Sequence, residues 1–230
     1  MRLTAIIVAA GGGKRMGGAQ NKALLPLAGR PVLAHVLEMW QGLAIQIVVA
    51  ARADDWQAVS AITAPYGKAA RLTAGGEHRS VSVALALKAL DNNTPPELIA
   101  VHDAARPLTA VSDIKRVIEA AKRAGAAILA APLDNTIRRR SEEFCGETLP
   151  REQLLAAQTP QVFRGEWLMA AYAAADKAAL AAATDDAALV MAAGYPCAYV
   201  WAEHANFKLT RQEDMAMAEA IIKERSAIND

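Results

Sequence analysis

The chain has 230 residues, of which 53% are hydrophobic, and a formal net charge of +1. The near-neutral charge argues against bulk binding of nucleic acid, and the lack of any run of 18 apolar residues argues against a membrane-spanning helix. Two cysteines, Cys145 and Cys197, are too few for a disulfide scaffold or a thiolate metal site, and no signal-peptide pattern precedes the first strand, so we expect a cytoplasmic protein.

Apolar segments rich in β-forming residues alternate with segments of helical spacing over the first 132 residues. The apolar segments cover residues 4–9, 45–51, 71–74, 98–102 and 126–132, and the helical segments cover 31–40, 54–64, 80–90 and 111–124. Ser112 or Asp113 is expected to open the last of these helices and Gly125 to close it. Strands alternating with helices predict βαβ units, a mostly parallel sheet and an α/β fold.

The first predicted strand runs directly into a glycine-rich turn. Residues 9–17 read Ala-Ala-Gly-Gly-Gly-Lys-Arg-Met-Gly, and the first acidic residue of the chain is Glu38. Backbone N–H groups of consecutive glycines form an anion-binding concavity, so unopposed cations beside them favour a polyphosphate ligand. The turn is not a Walker A loop, because Lys14 is followed by Arg15, and a dinucleotide fingerprint would need its third glycine at Met16. An ordinary turn between a strand and a helix is the alternative.

Two further stretches follow predicted strands. The pair Gly75-Gly76 opens a helix and suits a base or ribose contact, with a capped helix start as the competing interpretation. Asp103 and Arg106 follow the strand at 98–102, where the ligands of α/β sheets gather. Asp103 is a candidate ligand of Mg²⁺, directly or through water, and Arg106 is a candidate partner of a phosphate or of Asp103. His102 is interpreted as packed or hydrogen-bonded rather than catalytic.

The alternation ends where a polar and charged stretch begins. Residues 135–150 have strand character near Thr136 and again towards their end. We predict a β-hairpin arm at about 134–152, inserted into a single domain of residues 1–230. Because a hairpin that protrudes cannot bury its own surfaces, we expect it to mediate a homodimer.

The last third of the chain returns to regular elements. We predict alanine-rich helix over 166–193 with a break near Thr184, short strands at 199–202 and 207–209, and a helix from Gln212. Lys208 lies within an otherwise apolar segment, which is unusual unless an anion meets it. Residues 158–161 are interpreted either as functional or as a turn ahead of an edge strand, and residues 184–186 either as functional or as a helix cap.

In this order, these segments closely resemble the 2-C-methyl-D-erythritol 4-phosphate cytidylyltransferase family over essentially the whole chain. The family transfers CMP from CTP to methylerythritol phosphate in the non-mevalonate route to isoprenoids and releases pyrophosphate. The resemblance implies a Rossmann-like, mostly parallel sheet flanked by helices, of the nucleotide-diphospho-sugar transferase type. It is carried by the glycine turn with Lys22, by Gly75-Gly76, by residues 102–107, by Asp134 and Thr136, by Arg151, and by residues 158–161, 184–186 and 206–210.

The resemblance also implies roles for the matching residues. Arg15 and Lys22 would stabilise the transition state at the α-phosphate, and Arg151 and Lys208 would position the acceptor phosphate. CTP contacts are implied for Ala9, Ala10, Gly11, Gly12, Gly13, Gly75, Gly76 and Ser82, and acceptor contacts for Asp103, Arg106, Thr136, Thr159 and Thr184. Mg²⁺ would bridge the triphosphate, with Asp103 as its candidate protein ligand. The arm would carry Thr136 and Arg151 to the active site of the partner subunit.

Two departures from the family pattern leave the charged groups in place. Residues 20–24 read Gln-Asn-Lys-Ala-Leu where Pro-Lys-Gln-Tyr is usual, and residues 185–187 read Asp-Asp-Ala where Asp-Glu-Ala-Ser is common. One alternative function is a cytidylyltransferase for ribitol 5-phosphate or another polyol phosphate. Another is a nucleotide-binding regulatory module without turnover, although a second anion site at Arg151 and Lys208 argues against it. No nucleic-acid or membrane partner is expected.

Overall fold

The computed structural model describes residues 1–11, 21–90 and 95–229. Gly12, Gly13 and Arg15, which the resemblance places at the phosphates of CTP, lie outside the described residues. Their roles therefore stay predictions. No helix in the described ranges combines the length and the apolar composition that crossing a membrane requires.

A mixed, mostly parallel sheet forms the centre of the described structure. The strands are β1 (Leu3–Val8), β2 (Pro26–Leu27), β3 (Arg30–Pro31), β4 (Gln46–Ala51), β5 (Ala70–Ala74), β6 (Leu98–Asp103), β7 (Ala126–Ala131), β8 (Ile137–Ser141), β9 (Phe144–Leu149), β10 (Ala156–Arg164) and β11 (Ala198–Trp201). Seven of these strands pair in the order β11-β7-β10-β6-β1-β4-β5. Only β10 runs antiparallel to its neighbours, β6 and β7. The predicted α/β fold is confirmed.

Helices cover both faces of the sheet. They are α1 (Val32–Trp40), α2 (Trp56–Thr63), α3 (Arg79–Lys88), α4 (Val111–Ala124), α5 (Gly165–Ala174), α6 (Lys177–Ala182), α7 (Asp186–Ala192) and α8 (Glu213–Asn229). Side chains of α1, α2 and α4 share one buried cluster, and those of α3, α5 and α7 share another. Strand β1 supplies both clusters, because Ala5 and Ile7 point to the first and Ile6 points to the second. Because β1 is buried on both faces, its sequence is a continuous run of mostly apolar residues.

Helix α4 has the bounds that the sequence predicts, 111–124. Gly125 closes it with a φ of 90°, and its N–H donates to the carbonyl of Ala121 over 2.8 Å. The prediction that Ser112 or Asp113 opens the helix is wrong, because the residue before Val111 takes the cap position without a side-chain hydrogen bond. Asp113 is instead fully buried and accepts a hydrogen bond from Arg116.

The other predicted elements agree with the structure to within two residues, with three exceptions. The helix predicted over 166–193 with one break near Thr184 is divided twice, because the chain also leaves the helix at Ala175 and Asp176, and it forms α5, α6 and α7. The predicted strand at 207–209 is wrong, since this segment makes an isolated backbone bond from Leu209 to Ala105 and does not extend the sheet. The alternative that residues 158–161 form a turn ahead of an edge strand is also wrong. They lie inside β10, between two other strands, where the pairing with β7 shifts register between Gln158 and Gln161.

The predicted arm is a two-stranded hairpin formed by β8 and β9. The two strands pair with each other and not with the main sheet. Most of their side chains are exposed, and Phe144 near the tip exposes 76% of its surface. An isolated two-stranded hairpin is marginal in water, so this geometry agrees with the predicted role in dimerisation, which stays a prediction.

Candidate active site

The carboxyl ends of three parallel strands meet at one edge of the sheet and form a cleft there. Strand β1 ends at Val8, β5 at Ala74 and β6 at Asp103. The cleft has a volume of about 390 Å³ between the described residues. Ligands of open α/β sheets bind in such crevices. The predicted site residues that line it are Ala9, Ala10, Gly11, Lys22, Gly76, Ser82, Asp103 and Lys208.

The two predicted nucleotide-binding turns pack directly against each other. A Cβ atom on Gly75 would lie 2.3 Å from the Cβ of Ala10, and a Cβ on Gly76 would lie 2.3 Å from Cγ1 of Val81. Neither space can hold a methyl group. Both glycines are therefore required by close packing, and this packing brings the turn after β5 to the turn after β1.

The hydroxyl of Ser82 holds the second turn in shape. Its Oγ accepts a hydrogen bond from the N–H of Gly76 over 3.0 Å and donates to the carbonyl of His78 over 3.1 Å. The side chain is buried at the wall of the cleft. Its predicted contact with CTP stays a prediction, and the structure adds a role in building the turn.

Lys22 enters the cleft from a short 3₁₀ helix, Lys22–Leu24, which begins directly after Asn21. The buried Asn21 side chain accepts from the N–H of Ala23 over 3.0 Å and donates to the carbonyl of Ala9 over 2.6 Å. The first turn and the lysine are thus fixed to one another. The ammonium of Lys22 donates to the carbonyls of Leu209 (3.2 Å) and Thr210 (3.0 Å).

Lys208 meets an anion, as its surroundings in the sequence predict, and that anion is Asp103. The Nζ of Lys208 lies 2.7 Å from Oδ2 of Asp103, while Oδ1 of Asp103 lies 2.8 Å from Nε of Arg79. Arg79 also pairs with Asp186, over 2.7 Å from Nη1 to Oδ2. The other oxygen of Asp186 accepts a hydrogen bond from the Tyr172 hydroxyl over 2.6 Å. We call these five residues the charge network.

Opposite charges in the charge network outweigh the cost of burial. Burial alone would raise the pKa of the Asp103 carboxyl, but Arg79 and Lys208 lower it well below its ordinary value. Burial would lower the pKa of the Arg79 guanidinium, but Asp186 and Asp103 raise it. Burial and the Asp186 carboxylate raise the pKa of Tyr172, so its hydroxyl stays a donor. Asp103 and Arg79 are therefore both charged at neutral pH.

Three other predicted or considered residues lie behind the cleft rather than in it. Thr159 accepts a hydrogen bond from the N–H of Asp103 over 3.0 Å, which fixes the end of β6. Arg106 pairs neither with Asp103 nor with another acid among the described residues; its Nη1 donates to the carbonyl of Asn206 over 2.5 Å. His102 is fully buried, and burial lowers its pKa to about 4, which supports the interpretation that it is not catalytic.

Arg151, Thr136 and Thr184 are not brought to the described walls of the cleft. Arg151 lines a separate depression with Asp134 and Trp201, and it donates a hydrogen bond to the carbonyl of Asp134. Thr136 is exposed at the start of the arm, and Thr184 is exposed before α7. The acceptor contacts predicted for these residues stay predictions.

The described residues offer a poor set of ligands for Mg²⁺ in the cleft. Both carboxylate oxygens of Asp103 are engaged by cations at 2.7–2.8 Å, and the other acid on the described lining is the exposed Glu77. A magnesium ion prefers free carboxylate oxygens and water. The geometry therefore does not favour direct ligation by Asp103, whose metal role stays a prediction, and the roles assigned to the cleft residues do not depend on a metal.

The sequence pattern does not reveal several residues that build the site. Arg79 stands beside the glycine pair, but nothing in the pattern assigns it a partner, because both of its acids are distant in the chain. The interpretation of residues 184–186 as a helix cap followed by an acid in the first turn is confirmed, since Asp185 caps α7 and Asp186 is its first residue. That pattern does not reveal that Asp186 is fully buried and pairs with Arg79. The one sequence feature that could have indicated a role for Arg79 is its position as a lone arginine at the start of a helix, shortly after a pair of glycines.

The start of the glycine turn (residues 9–11) and two lysines converge at the carboxyl edge of a mostly parallel sheet. They define an α/β protein with a site suited to phosphorylated ligands. Comparisons with known proteins give the particular family. The family model IspD, 2-C-methyl-D-erythritol 4-phosphate cytidylyltransferase, matches residues 3–224. The chain belongs to this family of cytidylyltransferases, which confirms the resemblance found in the sequence.

Individual relatives agree over nearly their whole length. The 2-C-methyl-D-erythritol 4-phosphate cytidylyltransferase of Halalkalibacterium halodurans is 38% identical over 229 residues, covering 98% of this chain and 99% of the relative. That of Pelotomaculum thermopropionicum is 40% identical, covering 97% of this chain and 95% of the relative. The crystal structure of the Thermus thermophilus enzyme superposes with a TM-score of 0.80 at 36% identity, covering 97% of this chain and all of that one.

Proposed function

We propose that this cleft transfers CMP from CTP to 2-C-methyl-D-erythritol 4-phosphate and releases pyrophosphate. The observation that carries the proposal is the convergence of Lys22 and Lys208 on one cleft beside the glycine turn. A reaction that joins two phosphorylated substrates needs a cation for each of them. Family membership identifies the two substrates.

The chemistry asks little of the protein beyond position and charge. A phosphate monoester has its second pKa near 6, so the acceptor oxygen is largely ionised at neutral pH and needs no general base. That oxygen forms a bond to the α-phosphorus of CTP, the bond to the bridging oxygen of the β-phosphate breaks, and pyrophosphate carries the electrons away. Lys22, together with Arg15 of the glycine-rich segment, neutralises the charge that develops on the α-phosphate.

The two turns would hold the nucleotide and Lys208 the acceptor. In this assignment Ala10 and Gly11 offer backbone N–H groups to the triphosphate, and Gly76 with the turn around it meets the cytidine. The N–H of Ala9 donates to the carbonyl of Ala50 over 2.9 Å, so Ala9 would contact CTP through other atoms. The tight packing of Gly75 on Ala10 keeps the two turns at a fixed spacing. Lys208, which lines the same cleft, would aim the acceptor phosphate at the α-phosphorus.

The arm would complete the site of a second subunit. Arg151 lies in a depression apart from the cleft of its own chain, although the family resemblance gives it a role in acceptor binding. An arm that crosses to a partner reconciles the two, and we therefore propose a homodimer in which Arg151 and Thr136 serve the partner's cleft.

The reaction is tested by incubating the protein with CTP and one acceptor at a time and measuring pyrophosphate. We expect release with methylerythritol phosphate and little or none with ribitol 5-phosphate. Faster release with ribitol 5-phosphate would identify the alternative acceptor. CTP binding without release for any polyol phosphate would identify a regulatory module instead.

The swapped arm is tested by mixing two inactive variants. Lys22→Ala disables a cleft, and Arg151→Ala disables an arm, so a mixed dimer regains one intact site. At subsaturating acceptor, random mixing should restore about a quarter of wild-type activity. The matched control mixes Lys22→Ala with Lys208→Ala, which both lie in the cleft of one chain, and it should restore nothing. Equal activity of the two mixtures would refute the swapped arm.

A further inference from the structure

Arg79 is the residue that joins the two acids of the charge network. Its Nε donates to Asp103 over 2.8 Å and its Nη1 to Asp186 over 2.7 Å. The guanidinium belongs to the first residue of α3 and lies in the wall of the cleft. The reaction proposed for the cleft assigns it no role.

The position of Asp103 creates a difficulty for acceptor binding. Its carboxylate lies 2.7 Å from the ammonium of Lys208, so any phosphate that approaches Lys208 also approaches a negative charge. Asp103 is 7% exposed, and water screens so buried a charge poorly. Left uncompensated, this carboxylate would compete with the acceptor for Lys208 and repel it.

The other end of Arg79 is held in place. Asp186 is fully buried, and its second carboxylate oxygen is bound by the Tyr172 hydroxyl. The backbone N–H of Asp186 donates to Oε1 of Gln161 over 3.1 Å. Because Asp186 is fixed by these contacts, it holds the Arg79 guanidinium beside Asp103.

We propose that Arg79 is a positioning residue for the acceptor phosphate. Arg79 neutralises the charge of Asp103. The Asp103 carboxylate then still holds the Lys208 ammonium in place, and that ammonium can also bind the acceptor phosphate. Net charge over Arg79, Asp103, Asp186 and Lys208 is zero, so the acceptor meets a fixed ammonium rather than an anionic wall. This inference rests on the acceptor role proposed for Lys208.

A direct contact between Arg79 and a substrate is the competing explanation. Its third nitrogen, Nη2, is buried and has no hydrogen-bond partner among the residues that the structure describes. The two explanations differ in what happens when Asp103 loses its charge. If Arg79 acts by neutralising Asp103, it becomes dispensable for acceptor binding in Asp103→Asn. If it contacts the substrate itself, it does not.

The experiment is a double-mutant cycle over Arg79→Gln and Asp103→Asn, with the KM of each substrate and the dissociation constant of methylerythritol phosphate measured for all four proteins. We expect Arg79→Gln alone to raise the acceptor KM about tenfold or more, with the CTP KM changed by less than about threefold. In the Asp103→Asn background, the same substitution should change the acceptor KM by less than about threefold. Arg79→Lys should recover part of the loss.

The matched control is Arg116→Gln. Arg116 also bridges two acids, the fully buried Asp113 (3.0 Å) and Glu203 (2.9 Å), but it does not line the cleft. It should leave both KM values unchanged, and thermal unfolding of every variant shows whether it is folded at the assay temperature. The proposal would be overturned if Arg79→Gln raised the acceptor KM by the same factor with and without Asp103→Asn. It would also be overturned if Arg116→Gln raised the acceptor KM as much as Arg79→Gln does. If the wild-type protein bound no methylerythritol phosphate, that result would instead contradict the acceptor role proposed for Lys208.

Discussion

Two ion pairs with the same nitrogen-to-oxygen distance lie in very different parts of this molecule. In the cleft, Nε of Arg79 lies 2.8 Å from Asp103, with side chains 20% and 9% exposed. In the arm, Nε of Arg139 lies 2.8 Å from Glu147, with side chains 65% and 62% exposed. Exposed pairs are worth little, whereas removing one partner of a buried pair leaves an uncompensated charge. Burial, and not distance, therefore decides what each pair contributes.

The two ion pairs also differ in the structural elements that they connect. The charge network ties the start of α3 to the end of β6, the start of α7 and the segment that carries Lys208. The arm pair joins two strands of one hairpin that has no pairing with the main sheet. A change in the network should consequently affect the whole fold and the site, and a change in the arm pair should affect neither in an isolated chain.

The largest expected effect on stability comes from Asp186→Ala. It removes a fully buried carboxylate that binds Arg79 and Tyr172. The Arg79 guanidinium and the Tyr172 hydroxyl then lose their hydrogen-bond acceptor while they remain largely buried. We expect the free energy of unfolding, measured with urea, to fall by about 3 kcal/mol. The control is Asp176→Ala, which removes the exposed cap of α6 and should cost about 1 kcal/mol. Equal losses in the two variants would contradict the special weight of the network.

The next effect concerns catalysis at the wall of the cleft. Lys22→Ala should lower kcat roughly a hundredfold, because charge stabilisation at the transferred phosphate is lost, while the dissociation constant of CTP changes much less. Pyrophosphate release and calorimetry measure the two quantities. Lys88→Ala, an exposed lysine at the end of α3, is the matched control and should match wild type. A kcat close to that of wild type in Lys22→Ala would contradict the proposed role.

Local pattern is enough to predict most of this fold. Up to residue 131, alternating apolar and helical segments place the predicted strands and helices within two residues, because each is long enough to show its own periodicity. The uniform alanine content of residues 166–193 hides the break between α5 and α6. The segment 207–209 misleads because apolar side chains surround Lys208, which suggests a strand. They are apolar because Leu209 packs into a small cluster with Leu27 and Leu108, under α8.

Some residues of the site can be predicted from the sequence and others cannot. Lys22, Asp103 and Lys208 are predictable because each stands in a motif, and the structure brings all three to one cleft. The charge network is not predictable, since Arg79 and Asp186 are 107 positions apart and only the packing of α7 against the sheet joins them. Sequence patterns reveal groups that meet the substrate more readily than the groups that hold them.

A smaller effect is expected from a buried group that carries no charge at neutral pH. Burial lowers the pKa of His102 from 6.5 to about 4. The unfolded chain therefore binds more protons than the folded chain between those values, and stability falls as the pH falls through that range. Asp103 does not contribute there, because its pKa lies below its ordinary value of 3.8 and its stabilisation is lost only at lower pH.

We expect wild-type protein to lose about 2 kcal/mol of unfolding free energy between pH 7.5 and pH 5 through His102. Urea titrations at both pH values measure the loss, and the same titrations on His102→Gln provide the comparison. The variant should lack this part of the pH dependence. An identical pH dependence in the two proteins would mean that the imidazole is not held neutral by its surroundings.

The smallest expected effect belongs to the pair in the arm. A double-mutant cycle over Arg139→Ala and Glu147→Ala should give a coupling energy below about 0.5 kcal/mol, because water screens both exposed side chains. The cycle is measured by urea unfolding at low and high protein concentration. A coupling that rises above about 1.5 kcal/mol only at high concentration would mean that a second chain covers the arm, since burial strengthens the same 2.8 Å contact. Such a result would end the contrast between the two pairs in the assembled protein and would support the swapped arm, whereas weak coupling at every concentration places this pair outside any dimer interface.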